Sequence, residues 1–153
     1  MNLDKEKDYY TNYGYVVLKD YFTEEEANNI VRYADELECW NEEKGKWMIY
    51  FEGEKQKSRI ENFKNYHREI SRLLELKINP LINAFHHTEM ELFKDKLNWK
   101  YGGGKGFKPH QDQPAWSDFP PTFYSSVALF ANNTTKKNGC LEFAKDQLKL
   151  ESI

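Results

Sequence analysis

The hydrophobic spacing changes once along these 153 residues, and that change restricts the chain to a mixed fold. Through the first part, apolar residues recur mainly at helical intervals, and from Leu92 onward they alternate with a period of two. Ala27, Ile30, Val31, Ala34 and Leu37 share one helical face, and Thr23 with Glu26 three residues on makes a capping box. A helix is therefore expected over residues 24–38. Phe63, Tyr66, His67, Ile70, Leu73 and Leu74 mark a second amphipathic helix, and Asn79-Pro80 opens a short third one. Two extended stretches interrupt this half, a short strand at Gly14–Leu18 and an aromatic one at Lys46–Glu52. In the second half Lys96, Asn98 and Lys100 alternate with Leu97, Trp99 and Tyr101. Tyr124–Asn132 and Cys140–Phe143 are further expected strands, separated by the polar turn Thr134–Gly139. Helices first and strands after predict one α+β domain across residues 1–153.

Composition narrows the function classes. Aromatic residues make up 16% of the chain, which suits large side chains packed between sheets. Charged residues make up 31%, and no apolar run approaches the roughly 20 residues that span a bilayer. A formal net charge of −3 gives no general basic surface for nucleic acid. The first eight residues have no apolar segment of signal-peptide type, so a cytoplasmic location is expected. Cys39 and Cys140 form neither a disulfide framework nor a metal-binding pair, and are expected to be free, buried thiols.

The chemistry centres on His110-Gln111-Asp112. On an extended strand, residues two apart point to one face, so an imidazole nitrogen and a carboxylate oxygen can converge on a metal ion. With a second histidine from elsewhere they would make the 2-His-1-carboxylate triad of non-haem iron oxygenases. Other candidates are weaker. The run Gly102-Gly103-Gly104-Lys105-Gly106 lacks the Lys-Ser/Thr ending and following helix of a phosphate loop, and reads as a flexible hairpin or access loop. His86 and His87 are adjacent and diverge on a helix, whereas His67 falls on an apolar stripe and reads as a hydrogen-bonded core residue. Glu24-Glu25-Glu26 suits a solvated helix start. Lys96, Asn98 and Lys100 form either a solvent-facing sheet edge or, if that face lines a barrel, a site for an anionic co-substrate. Arg59 carries the same two readings.

Three blocks in order resemble the phytanoyl-CoA dioxygenase family. They are Gly14–Leu18 with Phe22-Thr23 and its helix, Leu92–Lys100 followed by the glycine loop and Phe107–Asp112, and Asn138–Phe143. Arg59-Ile60-Glu61-Asn62-Phe63 is similar to a bacterial subgroup, and the resemblance spans roughly residues 12 to 145. It implies a double-stranded β-helix (jelly-roll, cupin-like) core with N-terminal flanking helices. It implies Fe(II) as cofactor and 2-oxoglutarate as co-substrate, with hydroxylation of a small organic substrate and release of succinate and carbon dioxide. His110 and Asp112 match the family's first two metal ligands. Lys96, Asn98 and Lys100 match the strand bordering its 2-oxoglutarate pocket, and Arg59 falls near a basic co-substrate contact. The family's distal His, and the Arg that pairs with 2-oxoglutarate, lie downstream of the Asn-Gly-Cys-Leu turn. The C-terminal part of the core is therefore expected to be missing here. The expectation for activity divides accordingly. The chain is a dioxygenase by family, or else an inactive truncated remnant or half of a split enzyme completed by a C-terminal segment. The substrate is left open among small metabolites, acyl-CoA esters and organophosphonates.

Overall fold

A computed structural model describes residues 2–103, 106–121 and 123–143. Helix α1, Asp4–Tyr13, ends at Gly14, whose φ of 75° is the left-handed conformation that glycine adopts without strain. The Gly14 N–H donates to the Tyr10 carbonyl at 2.7 Å, closing the helix. The strand expected at Gly14–Leu18 therefore does not form: its first residue is a helix cap and the next four join no ladder.

Helix α2, Glu24–Glu38, starts as expected. The Glu26 N–H donates to the Thr23 hydroxyl at 3.2 Å, and the Thr23 N–H donates to the Glu26 carboxylate at 3.0 Å. Its inward face runs through Ile30, Tyr33, Ala34 and Leu37, while Ala27 is exposed one turn too early to reach the core. At the other end the Lys57 ammonium bonds the carbonyls of Glu38 and Trp40, placing a cation where the helix dipole is negative.

The second expected helix is real but broken. A 3₁₀ turn at Lys64–Tyr66 leads into α3, Arg68–Leu73, then a π turn at Leu74–Ile78 and α4, Asn79–His86. Asp95 ties its start to the sheet, accepting from the N–H groups of Asn62 and Lys64 at 2.6 Å each. The Lys77 carbonyl, within the π turn, accepts from the Tyr21 hydroxyl at 3.0 Å. His67 is the core histidine its position predicts. It is 6% exposed, its Nδ1 accepts the Ile70 N–H at 3.2 Å, and its Nε2–H faces the Glu36 carboxylate at 3.1 Å.

Strands β1 (Met48–Glu52), β2 (Gln56–Glu61) and β3 (Lys96–Asn98) form one antiparallel sheet in the order β1-β2-β3. Ile60 pairs with Ile49 on one side and Leu97 on the other. Leu37, Ile49, Ile60 and Phe63 form the core, with Trp40, Trp47, Ile70, Leu97 and Trp99 packed around it. Leu37 and Ile60 are 1% and 0% exposed, so each contributes about 1.5–3 kcal/mol of hydrophobic stabilisation. Because strand side chains alternate, the opposite face carries Tyr50, Arg59 and Asn98 in one row and Met48, Glu61 and Lys96 in the next.

The described residues are thus α+β, with a small sheet. Tyr124–Asn132 and Cys140–Phe143, expected as strands, join no ladder among the described residues. A strand needs a neighbour for its backbone groups, and Val127, Leu129, Phe130, Leu141 and Phe143 remain exposed. Both thiols are free, but Cys39 at the end of α2 is exposed rather than buried, and Cys140 is half-buried. No helix among the described residues is long and apolar enough to cross a membrane.

Candidate functional site

His110 and Asp112 lie in a loop rather than on the expected strand. Asp112 has helical backbone angles and precedes a 3₁₀ turn at Gln113–Trp116. The loop nonetheless brings the two side chains together, with His110 Nε2 3.3 Å from Asp112 Oδ1. His110 Nδ1 sits 2.7 Å from the Lys108 carbonyl oxygen. A carbonyl can only accept, so Nδ1 carries hydrogen and donates to it. In the neutral ring the Nε2 lone pair then faces the Asp112 carboxylate. Two acceptors that close repel unless a proton or a cation lies between them. Ligands at about 2.1 Å in adjacent coordination positions would sit about 3 Å apart, so the pair has the spacing of two metal ligands. The Lys108 carbonyl holds the ring as an outer partner holds a metal-bound histidine. Both side chains are about half exposed, which leaves room for further ligands. Among the described residues no group of three His, Cys, Asp or Glu side chains is arranged to hold a metal.

Arg59, Asn98 and Lys96 share the face of the sheet turned away from the core, with Arg59 directly opposite Asn98. Lys100 continues the alternation past the end of β3. Its ammonium lies 4.6 Å from the centroid of the Phe107 ring, which in turn is 6.0 Å from that of His110. Through Phe107 the basic strand and the His110 loop are neighbours. Gly104 and Lys105 of the intervening glycine run lie outside the described residues.

Among the described residues the remaining histidines do not complete a metal-binding group with this pair. His86 ends α4 with its ring against Tyr10 and Phe123, and His87 follows in the left-handed conformation at φ 52°, so the two diverge. Burial, and then the charge of His87, push the His86 pKa below its ordinary value.

Two groupings near the site were not legible as such. Phe93 packs against Trp116, Phe119 and Tyr124, with centroids 5.0–5.5 Å away, forming an aromatic wall reached from the His110 loop through the 3₁₀ turn. The buried Tyr124 hydroxyl within it has no hydrogen-bond partner among the described residues. The other grouping is Glu61, which lies beside Arg59, Lys94 and Tyr50 and is 2% exposed. Only the quoted Arg59–Phe63 segment hinted at it, since the partners come from three separate stretches of chain.

The His-x-Asp pair, with one imidazole nitrogen pinned, thus lies beside a basic strand and adjoins an aromatic wall. The chain belongs to the phytanoyl-CoA dioxygenase (PhyH) family, whose model matches residues 10–151. It is 36% identical over 147 residues to a 2-aminoethylphosphonate dioxygenase from uncultured bacterium HF130_AEPn_1, covering 92% of this chain and 56% of that protein. It is 32% identical to a methylphosphonate hydroxylase from Gimesia maris over 94% of this chain and 56% of the relative. A dioxygenase from Epichloe uncinata, lolE1, is 35% identical over 112 residues, 71% of this chain and 43% of that protein. The chain thus spans about half the length of the curated relatives it matches. No solved structure matches it significantly.

Proposed function

We propose that this chain forms part of an Fe(II)- and 2-oxoglutarate-dependent dioxygenase that hydroxylates a small organophosphonate. The core is then a double-stranded β-helix to which the β1-β2-β3 sheet contributes, and His110 and Asp112 are two of the iron ligands. The observation that carries this reading is the His110–Asp112 pair at 3.3 Å with Nδ1 tied to the Lys108 carbonyl. When bound, iron supplies open positions for 2-oxoglutarate and dioxygen.

The residues of this chain have three tasks. His110 and Asp112 hold the metal, and the Lys108 carbonyl keeps the imidazole in the tautomer that can do so. Lys96, Asn98, Lys100 and Arg59 attract and orient the anionic co-substrate or substrate, each cation favouring an oxyanion over a neutral molecule. The aromatic wall of Phe93, Trp116, Phe119 and Tyr124 limits water at the reacting centre. Support for the substrate class comes from the phosphonate names of two relatives and from the basic character of this face.

Anaerobic calorimetry with Mn(II), a redox-stable substitute for Fe(II), tests the metal assignment. Binding should be measurable in the native chain and lost in His110→Ala and in Asp112→Ala. Unchanged Mn(II) affinity in either variant would remove the basis for the reading.

A further inference from the structure

Glu61 is buried on the side of the sheet where burial is not expected. Ile60, the residue before it in β2, faces the apolar core together with Ile49 and Leu97, the residues that pair with Ile60 on either side, so alternation turns Glu61 to the other surface. Yet it is 2% exposed. A carboxylate withdrawn from water needs charged or hydrogen-bonded partners, and a hydrophobic residue of similar size would stabilise the fold as well or better. Glu61 has three partners. Lys94 Nζ lies 3.0 Å from Oε1, the Tyr50 hydroxyl donates to Oε2 at 3.2 Å, and Arg59 Nε lies 3.2 Å from Oε1. The Arg59–Glu61 contact is one of charge rather than of directed hydrogen bonding, since neither buried atom makes a hydrogen bond of proper geometry.

These contacts take hold of one edge and one face of the Arg59 guanidinium. Glu61 attracts the Nε edge, and the Tyr50 ring lies under the plane with the guanidinium carbon 3.9 Å from its centroid. The two terminal nitrogens make no hydrogen bond or ion pair among the described residues. Asn98 stands directly across from Arg59 on the next strand, and Lys96, across from Glu61, makes no ion pair among the described residues. Two cationic side chains therefore contact one carboxylate with a third, Lys96, across from it in register, and part of the uncompensated charge lies where the arginine fork is free.

We propose that Glu61, anchored by Lys94 and Tyr50, is a positioning residue that aims the Arg59 fork at one oxyanion of a bound molecule beside Asn98. This deepens the functional reading above and rests on it for the identity of that molecule. A carboxylate of 2-oxoglutarate and a phosphonate of the substrate share the required chemistry, two anionic oxygens on one central atom that can accept two parallel N–H bonds. The site needs no metal to hold the arginine in place.

The test uses the metal-free 153-residue chain, titrated calorimetrically with 2-oxoglutarate in one arm, methylphosphonate in a second and acetate at matched ionic strength in a third. One of the first two should bind clearly more tightly than acetate, and the tighter one names the source of the oxyanion. Arg59→Lys should weaken it about tenfold or more, as loss of a bidentate charged contact does. Glu61→Gln, which keeps the shape and removes the charge, should weaken it to a similar degree. The double variant should be no weaker than Arg59→Lys alone, because both changes remove one function. If Glu61→Gln fails to fold, Tyr50→Phe keeps the ring under the guanidinium while releasing Glu61, and should lose affinity in the same arm at a temperature where the variant, with its lowered thermal midpoint, is still fully folded. A loss confined to Arg59→Lys, additive losses, or no preference over acetate would each overturn the proposal. Since no metal is present, such a failure leaves the His110–Asp112 assignment standing, and Mn(II) binding tests that separately.

Discussion

His86 carries a ring nitrogen, Nε2, that is buried and without a hydrogen-bond partner among the described residues, between the rings of Tyr10 and Phe123. Charging that ring is unfavourable, and its pKa lies below the ordinary value of 6.5, first through burial and then through His87. The unfolded chain, with the histidine at about 6.5, takes up protons before the folded one does. Stability from this group is therefore present above that value and falls as pH drops from 6.5 toward the lower folded pKa. Thermal midpoints measured from pH 7.5 to 5 should decline, and His86→Phe should flatten the decline. A variant with the native slope would show that another group titrates. His67 teaches the complementary lesson about legibility. Its place on an apolar stripe sufficed to predict a hydrogen-bonded core residue, but not that Nδ1 caps α3 or that Glu36 is the partner. The stripe is local in sequence; Glu36 belongs to a different helix.

At the scale of elements, the same division between local and distant partners separates what the sequence reveals from what it hides. Helix α2 is legible because Thr23 and Glu26 satisfy each other three residues apart, without help from elsewhere. Thr23→Ala should cost about 1 kcal/mol in urea unfolding, with an unchanged dependence on urea concentration. No measurable cost would mean that the helix start is held by packing alone. Glu26 also meets Lys77 at 2.7 Å, so its replacement is a less clean test. The break into a 3₁₀ turn, α3, a π turn and α4 was not legible, because Asp95 and Tyr21 impose it from outside the segment. Period-two alternation correctly marked Lys96–Asn98, where β2 offers a ladder. Gly14–Leu18, Tyr124–Asn132 and Cys140–Phe143, read as strands from apolar runs and turn-bounded stretches, join no ladder because a pairing neighbour among the described residues is absent.

For the whole molecule, the site residues named from sequence fall into two neighbouring groups. The structure joins Arg59 to Asn98 and Lys96 through strand register, and His110 to Asp112 through a loop, with Lys100 and Phe107 between them. A strand was the wrong warrant for the His110–Asp112 convergence; a turn into a 3₁₀ helix achieves it as well. On the reading proposed above, these residues supply two ligands of a triad that needs three, and a cationic face for an anion. A third, imidazole ligand and a further arginine for 2-oxoglutarate are also needed on that reading, and among the described residues no third ligand joins His110 and Asp112. The purified chain should therefore form no succinate from 2-oxoglutarate above an iron-only control. Adding a segment that supplies both groups, fused or as a second chain, should restore turnover, and Asp112→Ala should abolish it again. Lost bidentate pairing to the co-substrate alone costs about 1.5–3 kcal/mol, one to two decades of affinity, before any loss at the metal. Lys96 and Lys100 offset part of that as point charges without a planar fork, and the Arg59 fork can grip one oxyanion only. Stoichiometric succinate from the unassisted chain, dependent on Asp112, would show instead that the third ligand is already within it.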